Sequence, residues 1–437
     1  MNVWIYTLGC RLNQCESEAL AQAFVSAGHR VLPSAEGCPL CIINTCTVTA
    51  KAEQKARRVI RQCSRTPGVG AVIVTGCYAA VSAAALADIG DNVFPVGGPA
   101  KSALLQLPAY LSGASDSEAG ERVRSFCTGL PASSDPFAFA ATDFTFHSRA
   151  YLKVQDGCDN HCFYCRVRIA RGKSVSLDRT EAVSRALALQ AAGYHEIVLT
   201  GCNLTMYGLP GEGLAGLVGD LLTALGPDMR LRFSSMEPDH IDPPLVELLS
   251  DKRIQPYFHI PIQSGSDTVL RRVNRHYTAA EALRIIGDLR RVRPEAFFAC
   301  DVIAGLPGED DEAFEETKAF VEECRFAHMH VFPFSPRPDT ELYRAKDRPP
   351  ESVRDARAEQ LRQLSQRMHA EYLASCSGTQ AEVILESRLE GNLWKALSGN
   401  YIEVVLDDGP GMHRGDLVKV RFPHLSGKEE TIKVSRV

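Results

Sequence analysis

Three cysteines stand within eight residues, Cys158, Cys162 and Cys165, in the run GCDNHCFYC. The run directly follows an apolar strand candidate, Tyr151–Gln155, so the chain has to present three thiols from one tight loop at a strand end. Such a C-x3-C-x2-C loop can hold three irons of a [4Fe–4S] cluster, which normally takes four ligands, and leaves the last iron open to a small molecule. The competing reading is a zinc site of three cysteines completed by His161, and the spacing favours the cluster. The chain has fifteen cysteines at uneven spacing, which argues against a disulfide scaffold. Its opening, MNVWIYTLGC, has neither a basic leader nor a long apolar run, and no stretch approaches the ~20 apolar residues of a membrane span. The expectation is a cytoplasmic protein with no membrane association, in a compartment where clustered thiols bind metal. With a net charge of -5, any nucleic-acid partner must be met by local basic patches.

Strand and helix candidates alternate over most of the chain. Val3–Leu8, Cys41–Asn44 and Ala71–Thr75 are apolar strand candidates, with helical periodicity over Glu16–Ala27 and Lys51–Cys63. This predicts a small parallel sheet covered on both faces, over residues 1–106. Residues 107–148 are rich in Ser, Ala, Asp, Pro and Phe, and read as a linker with at most one short strand near Val123. Over 149–374, strands are predicted at Tyr151–Gln155, Glu196–Thr200, Arg230–Phe233, Tyr257–Pro261, Phe297–Ile303 and Ala327–Phe332, with a charged helix Glu351–Ala374 closing the block. These units suit a partial (β/α)6 barrel. Residues 375–437 alternate in short strands (Ala381–Leu385, Tyr401–Leu406, Leu417–Phe422, Glu430–Val437) between glycine-rich turns, a small antiparallel β-barrel in outline. The expected fold class is α/β.

Three further cysteines each follow a predicted strand of the first sheet: Cys10 in TLGCRLNQCESE, Cys46 in NTCTVTAKAEQKARR and Cys77 in VTGCY. Open α/β folds place their sites at the carboxyl ends of strands, so the three are predicted to converge and to hold a second cluster with one open iron. Any one of them alone would read as a core cysteine.

The Cys158 loop resembles that of the radical S-adenosylmethionine enzymes, whose motif carries an aromatic before the last cysteine, here Tyr164. The segments around Cys10, Cys46 and Cys77 resemble the amino-terminal domain of the methylthiotransferases, and the terminal barrel resembles a TRAM domain. The resemblance therefore spans essentially the whole chain. It implies two [4Fe–4S] clusters, on Cys158, Cys162 and Cys165 and on Cys10, Cys46 and Cys77, and two equivalents of S-adenosyl-L-methionine, one as methyl donor and one as radical source. The reaction it implies inserts sulfur at an unactivated C–H and methylates it, using a 5′-deoxyadenosyl radical, with the second cluster carrying or delivering the sulfur. A low-potential electron donor such as flavodoxin or ferredoxin, and a sulfur donor, are implied partners.

Within that family, TLGCRLNQCESE is similar to the opening TLGCKVNQ-x-[DE]SE of the group acting on N6-threonylcarbamoyladenosine in tRNA. The group acting on isopentenyladenosine in tRNA tends to show YGCQMN, and the group modifying an aspartate of a small-subunit ribosomal protein LGCPKN. LTGCNLTMYG likewise resembles the first group's LTGVNLGSYG. The implied substrate is tRNA bearing threonylcarbamoyladenosine at position 37, beside the anticodon. Three departures stand out: RVRIARGK after Cys165, which makes Arg166 and Arg168 unusual, Asp339 in place of a glycine, and Cys202 in place of an apolar residue. A rival of a different class is a non-catalytic iron–sulfur protein that binds RNA or senses redox state.

Matching the superfamily's strand-end loops implies cofactor contacts at Tyr164, Thr200, Gly201, Asn203, Ser235, Glu237, Gln263, Ser264, Ile303 and Gly305. No catalytic residue beyond the cluster ligands is assigned. For RNA, the helix from Lys51 to Arg65 sets Lys51, Lys55, Arg57, Arg58, Arg61 and Arg65 against one acid, Glu53, and can track phosphates. A second basic set is Arg271, Arg272, Arg275, Arg290, Arg291 and Arg293. From Thr379 onward eight Lys/Arg face nine Asp/Glu, so the terminal barrel shows no basic signature, although Trp394 and Tyr401 can stack on bases. Arg171 and Arg337 are placed to pair with a carboxylate or phosphate.

Overall fold

A computed structural model describes residues 1–437 except Ser134, Glu212 and Glu430. The first sheet is five-stranded and parallel, in the order Arg30–Leu32, Asn2–Thr7, Leu40–Thr45, Ala71–Gly76, Val93–Pro95. The two central strands, LCIINT and AVIVTG, are buried along their whole length, as expected of parallel strands covered on both faces. The short edge strands Arg30–Leu32 and Val93–Pro95 carry too little apolar pattern to be picked out beforehand. Helices Arg11–Ser26, Ala50–Ser64 and Cys77–Ala87 follow the first, third and fourth strands of the chain.

The strand expected near Val123 is a helix instead, Ala119–Thr128. Ala119, Val123 and Phe126 recur at helical spacing, and Val123 is fully buried where the helix packs on the strands Ala71–Gly76 and Val93–Pro95. The rest of this connector is anchored as well. Phe137, Phe139 and Phe144 are buried in the main core, and the Glu18 carboxylate accepts hydrogen bonds from the Thr145 and Phe146 amides at 2.7 and 2.9 Å.

The central block forms the expected partial barrel. Parallel strands Ala150–Lys153, Glu196–Thr200 and Arg230–Phe233 make one half, and Tyr257–His259, Phe297–Ala304 and His328–Pro333 the other. Bridges Leu231–Ile254 and Ser235–His259 join the halves. Along Phe297–Ala304, Cys300, Val302 and Ala304 are fully buried under the helices, whereas Asp301 and Ile303 are only half-buried, so these two face the barrel interior. Helix Arg11–Ser26 of the first unit packs against Ala150–Lys153 and Glu196–Thr200, closing that side of the barrel.

The terminal unit is antiparallel, in the order Glu403–Asp407, Leu393–Ser398, Gln380–Leu389, Leu417–Arg421, Ser435–Arg436. A bridge between Val405 and Lys433 curls the last segment back to the first edge. Strand Leu393–Ser398 was not among the expected ones, and of the strand expected over Glu430–Val437, Glu430 lies outside the described residues. Trp394 is buried in this unit's own core, with its indole N–H donating to Asp408 at 2.7 Å, so it offers no ring face for a base to stack on. No helix among the described residues is long and apolar enough to cross a membrane.

Candidate functional site

The strand order of the first sheet reverses between Asn2–Thr7 and Leu40–Thr45, and such a switch point opens a crevice at the carboxyl edge. Cys10 and Cys46 leave those two strands, and Cys77 leaves the next one as the first residue of its helix. The three thiols meet there. Gly9 and Gly76 make the turns possible, with φ of +117° and +87°, which an L side chain adopts at a cost. A Cβ on Gly9 would lie 2.8 Å from the Cys46 Cβ, and one on Gly76 would lie 2.3 Å from the Thr45 carbonyl oxygen. Burial, with Cys77 and Cys10 beside it, pushes the Cys46 thiol up to about 12. The C-x2-C pair Cys38 and Cys41 sits at the opposite, amino end of the same strand and takes no part.

The Cys158–Cys165 loop leaves the first barrel strands. Burial pushes Cys158 up to about 11 and Cys165 up to about 12, with Cys162 beside both, and burial raises Cys162 as well, where Arg275 opposes it. Backbone and side-chain donors already point at the sulfurs: the Val167 amide at Cys165 and Arg275 Nη1 at Cys162, both at 3.4 Å. Arg275, grouped in the sequence with surface cations, is buried here and ion-paired to Glu237. Burial pushes the Glu237 carboxyl up, and Arg275 opposes this. Arg293 is buried as well, and Arg272 pairs with Asp347 at 2.8 Å, so the second basic set does not form a surface stripe.

Two charged networks join the cysteine sets. Arg171, six positions beyond Cys165, donates through Nε to the Cys77 sulfur at 3.2 Å, and through its other nitrogens to Asn13 at 2.6 Å and to Glu16 and Asp156 at 3.0 Å. Lys101 and Lys153 meet the same two acids, all of them buried. Cys202 joins this network, donating to Asp156 at 3.4 Å. In the second network Arg166 reaches Glu53 at 3.1 Å and Asp339 at 3.0 Å, and Arg337 pairs with the same Glu53. The unusual Arg166 and Asp339 are thus each other's partners. Arg337 is buried by this pairing and is not free to meet RNA.

The residues matched to cofactor loops divide by their surroundings. Asn203 is buried, its amide N–H donates to Gln155 at 3.0 Å, and its Nδ2 has no partner within the protein, as expected of a group awaiting a ligand. Gly201 lies beside it, half-buried. Tyr164 and Ile303 are both partly buried against one apolar cluster that includes Val269, Leu306 and Phe334. Ser235 binds His259 Nδ1 at 2.8 Å, and His259 faces Asp301 at 3.3 Å. Gln263 holds a left-handed backbone at φ 64° between Asp301 and Ile303, whose backbone groups it pairs with. Thr200, Ser264 and Gly305 are differently placed. The Thr200 hydroxyl is spent on the Val198 carbonyl, Ser264 on Thr317, and Gly305 is covered by the Arg354 side chain. These three shape the loops through their backbones.

A single zinc ion would draw three thiolates to within about 4 Å of one another, given Zn–S bonds of roughly 2.3 Å. Among the described residues, the group whose ligand atoms come within 4.8 Å of each other is His259, Asp301 and His330, and neither cysteine set is drawn so tight. His161 is exposed, its ring packed edge-on to Phe163. All fifteen cysteines are free thiols. Two open sets of three thiols with N–H donors at the sulfurs fit clusters rather than single ions.

Comparison with known proteins agrees with this chemistry. Residues 152–321 match the Radical SAM superfamily, and residues 2–97 match the Uncharacterized protein family UPF0004. The fold is similar to that of the radical S-adenosylmethionine methyltransferase TsrM from Kitasatospora setae, with a TM-score of 0.53 at 15% identity, covering 90% of this chain and 80% of that one. The barrel and its loop thus define a radical S-adenosylmethionine protein, which employs a [4Fe–4S] cluster and S-adenosylmethionine. Full-length relatives narrow the class. The threonylcarbamoyladenosine tRNA methylthiotransferase MtaB of Treponema pallidum is 35% identical, over 96% of this chain and 98% of its own. That of Bacillus subtilis is 36% identical, over 96% and 93%. The chain belongs to this methylthiotransferase family.

Arg171 and Arg275 do more at the site than the sequence indicated, and Glu16, Lys101, Lys153 and Asp156 escaped notice altogether. A signal was present for one of them: Lys153 ends the otherwise apolar strand Ala150–Lys153, and a charge buried at such a position has to be paired.

Proposed function

We propose that this protein converts N6-threonylcarbamoyladenosine at position 37 of tRNA to its 2-methylthio derivative, as a cytoplasmic enzyme. One observation carries the reading: Arg171, on the short helix that follows the Cys158–Cys165 loop, donates to the sulfur of Cys77 in the other set and to Asp156, two residues before Cys158. In the proposed assignment Cys158, Cys162 and Cys165 hold the radical cluster, and Cys10, Cys46 and Cys77 hold the second. When bound, these groups with S-adenosylmethionine supply radical generation, the methyl group and the sulfur.

The chain's own residues bind and orient. Asn203 Nδ2, unpartnered, is assigned to the S-adenosylmethionine side of the barrel with Gly201, Tyr164 and Ile303. Arg275 holds Glu237 at the radical loop and donates to Cys162, which stabilises thiolate charge. The Arg171 network sets three cations, Arg171, Lys101 and Lys153, against two acids, Glu16 and Asp156, and places a guanidinium donor at the Cys77 sulfur. RNA is assigned to the helix Ala50–Ser64, where Lys51, Lys55, Arg58, Arg61 and Arg65 are exposed. Arg57 is half-buried against Tyr78. The proposed units are 1–106, 149–374 and 375–437, with 107–148 wrapping the first. A low-potential electron donor and a sulfur donor complete the reading.

The test is anaerobic reconstitution, an iron count, and nucleoside mass analysis of tRNA incubated with S-adenosylmethionine and reductant. About eight irons per chain and a methylthio mass gain on threonylcarbamoyladenosine are expected. About four irons with 5′-deoxyadenosine release but unmodified tRNA would overturn the second-cluster assignment.

A further inference from the structure

We propose that Arg11 receives the carboxylate of the threonylcarbamoyl group and thereby sets substrate choice, an inference that rests on the substrate reading above. Arg11 follows Cys10 and opens the helix that closes one side of the barrel. Its Nη1 donates to the Phe233 carbonyl at 3.1 Å, and its guanidinium carbon lies 5.4 and 5.2 Å from the ring centres of Tyr257 and Tyr401. Two other arginines approach these rings, and both are neutralised. Arg232 pairs with Glu196 at 2.6 Å and Arg149 with Glu386 at 3.0 Å. Among the described residues no carboxylate pairs with Arg11; a backbone carbonyl and the rings and phenol groups of Tyr257 and Tyr401, with Tyr151 nearby, are what surround it.

Ring faces, neutral phenols and a carbonyl stabilise a guanidinium but carry no full negative charge to cancel its own, and in a partly buried place such a charge calls for an anion. A planar guanidinium matches a carboxylate in two parallel hydrogen bonds. The position suits the reaction, because Arg11 stands beside the second cysteine set while its charge is felt at His330 on the last barrel strand. The N6 substituent of threonylcarbamoyladenosine ends in a carboxylate, whereas an isopentenyl group ends in methyls and would leave Arg11 unanswered. A site built around an unpaired polar group rejects an analogue lacking the partner. The three opening patterns compared above differ at this position: a basic residue follows the cysteine in the threonylcarbamoyl pattern, Gln in the isopentenyl one and Pro in the ribosomal-protein one.

The test uses the reconstituted full-length protein and three anticodon stem-loop RNAs: one with threonylcarbamoyladenosine, one with the same group as its carboxamide, and one with plain adenosine. The wild type should bind the acid at least about tenfold more tightly than the amide, about the value of one good ion pair. Arg11→Gln should bind both alike, and Arg11→Lys should keep part of the preference. Iron content is read in every preparation, since Cys10 is adjacent. Equal binding of acid and amide by the wild type overturns the proposal without any variant, and so does an iron-replete Arg11→Gln that keeps the preference. A wild type that methylthiolates none of the three RNAs overturns the substrate reading itself, a different and separable result.

Discussion

The two cysteine sets solve one problem by opposite means. Cys158, Cys162 and Cys165 come from a single loop, so their spacing is a property of eight consecutive residues and survives any change that keeps the loop. Cys10, Cys46 and Cys77 come from three turns brought together only when strands Asn2–Thr7, Leu40–Thr45 and Ala71–Gly76 pair in register. A local motif is robust and recognisable, whereas a distributed one depends on the sheet and on what braces it. The bracing differs accordingly. Arg275 and Glu237 behind the first set both belong to the barrel, while Arg171 behind the second belongs to another unit and reaches across.

The sharpest way to break the comparison is to remove one ligand from each set. Cys77→Ala should lower iron from about eight to about four per chain and abolish methylthiolation while 5′-deoxyadenosine is still released. Cys162→Ala should abolish 5′-deoxyadenosine release itself. Activity surviving in either variant would refute the corresponding ligand assignment.

Next in size is Arg171→Met, which strips Glu16 and Asp156 of a buried cation. Breaking such a pair costs roughly 3–5 kcal/mol, read by denaturant unfolding, and the iron lost should come from the second set alone. Glu53→Gln, which leaves Arg166 and Arg337 sharing a neutral partner, should cost about 3 kcal/mol, and an added Arg337→Met should recover part of it in a double-mutant cycle.

A smaller effect separates the braces by pH. Burial pushes the Glu16 carboxyl up, yet Arg171, Lys101 and Lys153 outweigh it and hold the group well below the usual carboxylate range. Its contribution to stability is therefore present above the unfolded value of about 4.3 and is lost as pH falls through the lower folded one. Glu16→Gln should flatten the acid limb of the stability curve below about pH 4, and an unchanged limb would show that the network is not what titrates. Smallest is Lys55→Glu on the exposed helix face, which should weaken tRNA binding and reduce its salt dependence by roughly one ion.

The same contrast explains what the sequence made legible. Strand positions followed from apolar runs, and the loop at Cys158 was recognisable from spacing alone. The second set could be placed because each cysteine happened to follow a strand. Helix Ala119–Thr128 was lost because its apolar residues are interrupted by Gly, Glu and Arg within a compositionally loop-like stretch. Arg166 stood out only as unusual beside the cluster loop, and Arg275 and Arg337 could not be sorted from surface cations, since an arginine's partner is fixed by tertiary packing: Glu53 is 113 residues from Arg166 and 284 from Arg337.

Glu16 also has a history written into its surroundings. It lies on the first helix, but the cations that make its burial tolerable are Lys101, Lys153 and Arg171. A ribosome delivers the chain from its amino end, so the first helix emerges with this acid unanswered, meets Lys101 only as the first unit ends, and has its full set of cations once Arg171 has followed. The first unit is finished by the second, and the Cys10, Cys46 and Cys77 pocket acquires its final shape only after the radical loop has been made.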